Sequence, residues 1–307
     1  MRITRLLLSA SAAGLALGAT PAFAQDSAAD GVNEEEAIIV TARRQNERLQ
    51  DVPASVAVLS AATLENTGAK NADDFAQLTP GVTIVTGTAE AGDTQINIRG
   101  INGARDAESS VALVVDGILK TNTAQLNQVQ GTLRQVEILK GPQGALYGRN
   151  AAAGAIVLQT LKPKDVAEGG AKVSYANENT WDATAYVSLP LGEGAGMVLS
   201  GGFQRTDGFF RNIFLGNSKT VDDKEAYDIN GRVVFKLGED TEFDVKMRWA
   251  EFHGASLPFN ASFHLPNFAA VNPKFYEDVN AHEFRFYNNI RATNDQTSFD
   301  GSIKVEH

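Results

Sequence analysis

The chain has 307 residues, enough to bury a core of ordinary domain size, which excludes a peptide or a small scaffold that depends on covalent staples. It contains 0 Cys, so disulfide frameworks, thiolate zinc sites, iron–sulfur clusters and cysteine nucleophiles are excluded. The 27 Lys and Arg residues against 37 Asp and Glu residues give a net charge of -10, which disfavours a nucleic-acid partner held through its phosphates.

Residues 1–24 have the three parts of an export signal. Two arginines form the positive start, a short apolar stretch follows, and Ala22 and Ala24 supply the small residues that precede a cleavage site. The apolar stretch is shorter than the roughly 20 residues that a membrane-spanning helix needs. We therefore expect cleavage directly after Ala24.

Residues 25–52 are expected to form a flexible leader. Its first part, residues 25–36, is polar and acidic and lacks apolar periodicity, so it cannot bury enough surface to fold. A segment rich in β-branched residues follows, and its members are Ile38, Ile39, Val40, Thr41 and Ala42. On composition alone, this segment is either the first strand of the next domain or a strand offered to the sheet edge of a partner.

A compact α+β domain is predicted over residues 53–163. One helix is predicted from a cap at Ser60 and a second from a capping box that begins at Asn71. Asp116 and Gly117 have the pattern of a turn. Strands are predicted at residues 55–59, 95–98, 111–115, 136–139 and 155–158.

Aromatic residues mark a second region over residues 164–307. Only positions 23, 75 and 147 carry an aromatic residue before residue 165, and all the others of the 16 Phe, 6 Tyr and 2 Trp follow it. Apolar and polar residues alternate in this region with the period of two that indicates strands with one apolar face. Six strands are predicted, near residues 171–176, 182–191, 197–211, 227–237, 242–252 and 297–306.

The connections between these strands favour a membrane barrel. Residues 191–195 and 238–241 are short turns, whereas residues 212–225 and 253–295 are long connections. Short turns at one end, long loops at the other and strands of about ten residues are typical of a transmembrane β-barrel. No later segment can span a membrane as a helix, so any residence in the membrane must be as strands. A soluble antiparallel domain is the alternative on pattern alone.

Four segments, in order behind the export signal, resemble motifs of the TonB-dependent outer-membrane receptors, particularly the iron-complex type. Residues 36–43 resemble a TonB box, residues 97–101 the IRG segment of the plug domain, residues 111–118 its VDG hairpin, and residues 136–156 its most recognisable stretch. The resemblance covers residues 36–161. It implies an α+β plug domain followed by the first strands of a transmembrane antiparallel β-barrel, about six of an expected 22.

The resemblance also implies partners and roles for individual residues. Residues 38–42 would pair with TonB of the inner-membrane proton-motive complex, and the barrel would contact outer-membrane lipid. Arg99 and Arg149 would be plug cations that contact acidic groups on the inner barrel wall, with partners beyond His307; solvation at the surface is their alternative role. Turns of the plug are expected at Gly100, Asp116, Gly117, Gly141, Gly144 and Gly148.

Neither an enzyme site nor a cofactor site is expected. The glycine-rich residues 141–154 lack the pattern of a phosphate-binding loop, and a Gly-x-Ser-x-Gly nucleophile elbow is absent from the sequence. His253, His264 and His282 lie in or near the long Phe/Pro/Asn-rich connection, but three spaced histidines do not define a coordination geometry. Ligand-binding residues are therefore not assigned.

The expected function is energised uptake of a bulky nutrient across the outer membrane of a Gram-negative cell. A ferric siderophore is the family default, and cobalamin or an oligosaccharide are alternatives. A signalling receptor is disfavoured, because residues 25–36 leave no room for an extra periplasmic domain. Six strands cannot close around a plug, so we expect the N-terminal portion of a receptor, either as a sequence fragment or as a truncated product that binds TonB without transporting.

Overall fold

The computed structural model describes residues 38–41, 43–86, 94–102, 108–120, 126, 132–255, 285–286 and 290–307. The export signal predicted over residues 1–24 and the acidic stretch over residues 25–36 lie outside the described residues, as do Ala42, His264 and His282. The predictions for these residues stay predictions. Within the described ranges, no helix combines the length and the apolar character that crossing a membrane requires.

A short hairpin begins the described part of the chain. Its strands are β1 (Ile39–Val40) and β2 (Glu47–Arg48), which pair antiparallel, and a 3-10 turn over Leu49–Asp51 follows. Of the segment for which the sequence predicts a flexible leader, residues 38–41 and 43–52 are therefore placed in or directly after a hairpin.

The α+β domain contains a five-stranded sheet and a three-stranded sheet. Its helices are α1 (Ala61–Thr67), α2 (Ala72–Gln77) and α3 (Gly144–Tyr147), and its strands are β3 (Ser55–Ser60), β4 (Val82–Thr86), β5 (Thr94–Ile98), β6 (Ile101–Asn102), β7 (Val111–Val115), β8 (Ile118–Lys120), β9 (Leu133–Lys140) and β10 (Gly154–Thr160). The larger sheet has the order β3-β9-β10-β7-β8, and the smaller one has the order β4-β5-β6. In the larger sheet β7 and β10 run parallel, and the other neighbours run antiparallel.

Both helix caps that the sequence predicts are formed. The Ser60 hydroxyl accepts a hydrogen bond from the Thr63 N–H at 3.2 Å, and α1 ends at Gly68 in the left-handed conformation. Asn71 and Asp74 form the reciprocal capping box at the start of α2. Because the first N–H groups of a helix have no partner within it, these side chains fix where the two short helices begin.

The five-stranded sheet separates two apolar layers, since successive side chains of a strand point to opposite faces. On one face, Leu64 and Phe75 of the helices pack in one cluster with Ile138 and Ile156 of the sheet. The cluster on the other face is smaller, and its buried members are Ala112, Val114, Leu139, Tyr147, Ala151, Ala155 and Val157. Glu137 shares this second face, because it lies two residues from Leu139 on β9.

Gly154 occupies a position where the sheet has no room for a side chain. A Cβ at this position would lie 2.1 Å from the carbonyl oxygen of Leu139 and 3.0 Å from Cδ1 of Ile98. We predict that Gly154→Ala lowers the free energy of unfolding of the α+β domain by about 2 kcal/mol, because overpacking forces the backbone to shift. Urea unfolding measures the effect. Gly144→Ala is the matched control, since a Cβ there meets nothing within 4 Å; equal midpoints would contradict the prediction.

A six-stranded antiparallel sheet follows the α+β domain, with its strands in chain order. The strands are β11 (Glu168–Ala176), β12 (Thr180–Gly192), β13 (Ala195–Thr206), β15 (Lys224–Leu237), β16 (Thr241–Ala255) and β18 (Thr293–Glu306). A two-residue parallel pair, β14 (Arg211–Asn212) with β17 (Arg285–Phe286), links the two long connections. The six strands predicted from the alternating pattern are confirmed. All six begin before their predicted first residue, and β13 ends at Thr206, short of the predicted end at residue 211.

The two faces of the six-stranded sheet differ in chemistry. Exposed apolar side chains cover one face, among them Leu199, Ile229, Met247, Phe299 and Ile303. Buried polar and charged side chains lie on the other face, among them Ser188, Asp228, Arg232 and Asp244. The second face is the one that contacts the α+β domain.

Candidate functional site

Asp116 joins the α+β domain to the six-stranded sheet. It lies in the turn between β7 and β8, and its side chain is 4% exposed. Its carboxylate accepts hydrogen bonds from the Thr160 N–H at 2.8 Å and from the Thr160 hydroxyl at 2.9 Å. It also forms ion pairs with Arg232 of β15, at 3.4 Å, and with Lys246 of β16. One turn is thus fixed both to the end of β10 and to two neighbouring strands of the second sheet.

Arg232 is shared between Asp116 and a second carboxylate. Its Nε and one terminal nitrogen donate to the two carboxylate oxygens of Asp244 at 3.0 Å and 2.6 Å. Its other terminal nitrogen donates to the Thr160 hydroxyl at 2.9 Å and to the Thr160 carbonyl at 3.0 Å. Buried charges are tolerated when they are paired and hydrogen-bonded. These five residues, with two carboxylates and two cations among them, are called the anchor cluster below: Asp116, Thr160, Arg232, Asp244 and Lys246.

The pKa of Asp116 lies below its ordinary value of 3.8. Burial is the largest single influence and raises the pKa, because desolvation penalises the carboxylate. The charges of Lys246 and Arg232, with hydrogen bonds from Lys246 and Thr160, together lower the pKa by more than burial raises it. Asp116 is therefore ionised at neutral pH and carries the negative charge that the two cations need.

Among the described residues, three further long-range ion pairs connect residues that precede β11 with the six-stranded sheet. In each, a lysine preceding β11 meets a carboxylate of a strand: Lys120 with Asp300 at 2.7 Å, Lys162 with Glu242 at 3.1 Å, and Lys70 with Asp182. These pairs are more exposed than the anchor cluster, so each contributes less to stability. They place charged contacts on strands β12, β16 and β18.

Arg99 and Arg149, which the resemblance assigns to contacts with a barrel wall, lie at turns of the α+β domain. The Arg99 guanidinium lies close to Gly141. Arg149 forms an ion pair with Glu108 at 3.1 Å, and its side chain is 80% exposed. Their contact with a barrel wall stays a prediction. The described charged contacts with the six-stranded sheet come instead from Asp116 and the three lysines.

The residues predicted at turns occupy two kinds of position. Positive φ angles are found at Gly100, Asp116, Gly117, Gly141 and Gly148. Gly144, by contrast, is the first residue of α3. At Asp116 the positive φ of 50° directs the chain from β7 into β8, and this turn carries the carboxylate into the anchor cluster.

Residues 38–41, the part of the predicted TonB box that the structure describes, dock on the five-stranded sheet. Val40 is 1% exposed, whereas Ile39 beside it is 44% exposed. The Thr41 N–H donates to both carboxylate oxygens of Glu137, at 2.9 Å and 3.0 Å. The side-chain amide of Gln135 donates to the Ile39 carbonyl at 3.0 Å. The segment is held through its main chain by side chains of β9.

Three polar side chains form the docking surface for this segment: Gln135, Glu137 and Gln159. Gln135 and Gln159 lie directly opposite each other on β9 and β10. Both of their amides also donate to Glu137, that of Gln135 at 2.9 Å, and the amide of Gln159 donates to the Thr41 hydroxyl at 2.7 Å. Glu137 is 0% exposed. A carboxylate buried to this extent is compatible with a stable fold because several donors converge on it.

Tyr147 and Arg44 complete the surroundings of the docked segment. The Arg44 guanidinium lies 5.3 Å from the centre of the Tyr147 ring, within the range of a cation–π contact. Burial raises the pKa of Tyr147, and the nearby Glu137 charge raises it further, against a lowering by Arg44. Tyr147 therefore stays neutral, and it belongs to the apolar cluster on the same face of the sheet as Glu137.

His253 is the member of the predicted histidine group that the structure describes. Its Nδ1 lies 2.8 Å from a carboxylate oxygen of Asp295, and its Nε2 lies 3.5 Å from Glu251. In the described part of the chain, no group of three or more His, Asp or Glu side chains is arranged to hold a metal ion.

Comparison with known proteins identifies a family for the α+β domain and relatives for the chain. The family described as "TonB-dependent Receptor Plug Domain" matches residues 48–155. The pesticin receptor of Yersinia pestis is 32% identical over 199 residues, covering 63% of this chain and 28% of the relative. The vitamin B12 transporter BtuB of Vibrio vulnificus is 29% identical over 185 residues, covering 59% of this chain and 30% of the relative.

A solved structure shows the same fold. The ferripyoverdine receptor of the outer membrane of Pseudomonas aeruginosa matches with a TM-score of 0.68 at 18% identity, over 88% of this chain and 34% of that one. Residues 48–155 therefore form a plug domain of the TonB-dependent receptor family, and the strands that follow have the fold of the solved outer-membrane receptor. The chain spans about 30% of the length of the curated relatives it matches. The plug domain and the partial barrel expected from the sequence are thereby confirmed.

Proposed function

We propose that the protein imports a ferric siderophore across the outer membrane and that TonB supplies the energy for import. The observation that carries this proposal is the arrangement of the plug: residues 48–155 match the plug family, a β-branched segment lies directly before them, and the plug is joined to barrel strands by buried charges. Because ion pairs hold the plug to the barrel strands, energy is needed to rearrange the plug and open a path for the substrate. A partner that binds the N-terminal segment can apply the required force to the plug.

TonB is the proposed partner of residues 38–42. These residues would pair edge to edge with a strand of TonB, with main-chain hydrogen bonds giving affinity and β-branched side chains giving register. The exposed apolar face of the six-stranded sheet would contact outer-membrane lipid, as the outer wall of a barrel does. The leader would lie in the periplasm, where TonB can reach it. The function is transport, and no chemical step is assigned to the chain.

The proposed substrate class is supported by the names of the relatives. The solved structures with a similar fold include the ferric yersiniabactin uptake receptor of Yersinia pestis and the ferripyoverdine receptor of Pseudomonas aeruginosa. The vitamin B12 transporter among the relatives supports cobalamin as the second candidate. Both ligands are too bulky for passive diffusion through a narrow pore, which is consistent with an energised route.

Uptake assays test both parts of the proposal. The receptor is expressed in cells that lack their own siderophore and cobalamin receptors, with and without TonB, and the cells are offered a panel of radiolabelled ferric siderophores and cobalamin. We expect uptake of a ferric siderophore above the receptor-free background only in cells that contain TonB. Uptake that is equal without TonB would overturn the energy source, and uptake of cobalamin alone would replace the substrate.

A further inference from the structure

Two cations stand directly opposite each other where β15 pairs with β16. Arg232 of β15 is the cross-strand partner of Lys246 of β16, and their side chains are 6% and 18% exposed. The Lys236 N–H donates to the Gly194 carbonyl on the β13 side, so Arg232, four residues earlier, also turns its main-chain groups away from β16. Arg232 and Lys246 therefore form a non-hydrogen-bonded pair, in which opposite side chains are closest. Like charges in such a pair are destabilising.

The next pair of strands shows the opposite arrangement. Between β16 and β18, the buried Asp244 stands opposite Lys304, and the buried Arg248 stands opposite Asp300. Opposite charges in cross-strand pairs stabilise the register that brings them together. The buried charges of β16 thus favour its observed register on β18, whereas on its other side Lys246 meets a like charge.

A second register of β15 on β16 avoids the opposed cations. Displacing one strand by two residues brings Asp244 opposite Arg232. The same displacement brings Arg248 opposite Asp228. Without a further partner, the cross-strand charges of β15 and β16 therefore favour the displaced register over the observed one.

Neither the apolar face nor the hairpin loop excludes the displaced register. A displacement of one residue would turn every apolar side chain to the other face, but a displacement of two keeps each side chain on its own face. Ile229, for example, would meet Met247, which is also an exposed apolar residue of the outer face. The loop would lengthen from residues 238–240 to residues 236–240, which is still a common hairpin length.

Asp116 of the plug removes the conflict in the observed register. Its buried carboxylate forms ion pairs with both opposed cations, Arg232 and Lys246. Thr160 at the end of β10 holds this carboxylate in place, through its N–H at 2.8 Å and its hydroxyl at 2.9 Å. In the displaced register Asn230 would stand opposite Lys246, so the two cations would no longer form one opposed pair around a single carboxylate. The plug therefore stabilises one of the two registers selectively.

We propose that the plug has a second function, as the template that selects the register of β15 on β16 while the barrel assembles, with Asp116 as the positioning residue. This function goes beyond import, since it needs neither a substrate nor TonB. The stagger of the strands sets the shape of a barrel, so a displaced register here would change the fit between the strands and the plug.

Disulfide trapping in isolated outer membranes distinguishes the two registers. The chain has 0 Cys, so two introduced thiols report on one pair of positions. Ala226→Cys with Phe252→Cys joins residues that are opposite in the observed register. Ala226→Cys with Ala250→Cys joins residues that are opposite only in the displaced register. Opposite residues have Cβ atoms about 5 Å apart, whereas a displacement of two residues places them about 7 Å apart, too far for a disulfide.

The 226–250 disulfide is the diagnostic product. We expect the 226–252 disulfide to predominate in the parent receptor, and Asp116→Asn to raise the yield of the 226–250 disulfide about fivefold. Adding Lys246→Met to Asp116→Asn removes the opposed cations, so this yield should return to the parent value. A role of Asp116 in stability alone would weaken the 226–252 disulfide without creating the 226–250 disulfide.

Lys120→Gln is the matched control, because it breaks the ion pair of the plug with Asp300 and leaves Asp116 between the opposed cations. An equal rise of the 226–250 disulfide in Lys120→Gln would show general loosening of the plug and overturn the template. An unchanged yield in Asp116→Asn would overturn it as well. If Asp116→Asn does not reach the outer membrane, the double variant with Lys246→Met decides: recovery with the 226–252 disulfide supports the template, and no recovery overturns it.

Discussion

Asp116→Asn is expected to lower the free energy of unfolding of the plug within the receptor by on the order of 3 kcal/mol. The substitution keeps the size of the side chain, and asparagine tolerates the positive φ of this turn as well as aspartate does. What it removes is the charge that balances Lys246 and Arg232 in a buried site. Urea-dependent exposure of a single thiol, placed by Val114→Cys in the cysteine-free chain, measures the effect.

A matched control and a rescue variant assign the loss to the anchor cluster. Asp165→Asn makes the same change at an exposed position between the plug and β11 and should alter stability by less than about 0.5 kcal/mol. Adding Lys246→Met to Asp116→Asn removes the cation left without its partner, so the double variant should be more stable than the sum of the single losses predicts. Additive losses would show that the ion pair is not the cause.

The Asp116 carboxylate also makes the free energy of unfolding depend on pH. The folded-state pKa of Asp116 is below the ordinary value of 3.8, so its contribution to stability is fully present above the pKa of the unfolded chain. The contribution is lost as the pH falls from that value through the lower pKa of the folded state. The difference in unfolding free energy between the parent and Asp116→Asn should therefore be constant near neutral pH and shrink below about pH 3.8. A difference that already shrinks between pH 7 and pH 5 would contradict the assignment.

Local patterns in the sequence predict the elements of this chain well. The caps at Ser60 and Asn71 and the alternation in residues 227–237 each depend on interactions within one helix or one strand. Such interactions act between residues that are near in sequence, so residue type and spacing are enough to predict them. The family motifs extend this to the plug domain as a whole.

Long-range pairing could not be predicted in the same way. The sequence predicts that Asp116 lies in a turn. It does not predict the ionic partners of Asp116, because Arg232 and Lys246 lie 116 and 130 residues further along the chain. The alternating pattern shows that strands β15 and β16 have a charged face; it does not show which plug residue that face meets. The parallel pairing of β7 with β10 is hidden for the same reason, because it joins strands that are not neighbours in sequence.

Among the residues that bind residues 38–41, Glu137 is the one that the sequence could have indicated. It interrupts an apolar run in β9, and a glutamate in a strand buried on both faces requires donors that the neighbouring elements must supply. Gln135, two residues before it, falls on the same face and provides one donor. The donor from Thr41 comes from a segment 96 residues away, and that distance explains why composition left two roles open for residues 38–42.

Ile39→Pro is expected to abolish TonB-dependent uptake while ligand binding at the outer face stays intact. The Ile39 carbonyl marks the edge of β1 that faces away from β2, and the N–H of the same residue points to that edge. Proline removes this N–H, so a TonB strand that pairs there would lose a hydrogen bond of the ladder. Radiolabelled uptake and equilibrium ligand binding, measured on the same cells, separate the two properties.

The matched control for Ile39→Pro is Ile39→Val, which keeps the N–H and the β-branched shape and should transport normally. The two variants also distinguish pairing from docking. Maleimide labelling of a thiol introduced by Val40→Cys in the cysteine-free chain reports whether Ile39→Pro releases the segment, because Val40 is buried while the segment is docked. A segment that is released but does not support uptake would mean that exposure alone is insufficient and that the ladder hydrogen bonds are needed. Full uptake by Ile39→Pro would refute edge pairing at this residue, because no regular ladder can include a proline N at that position.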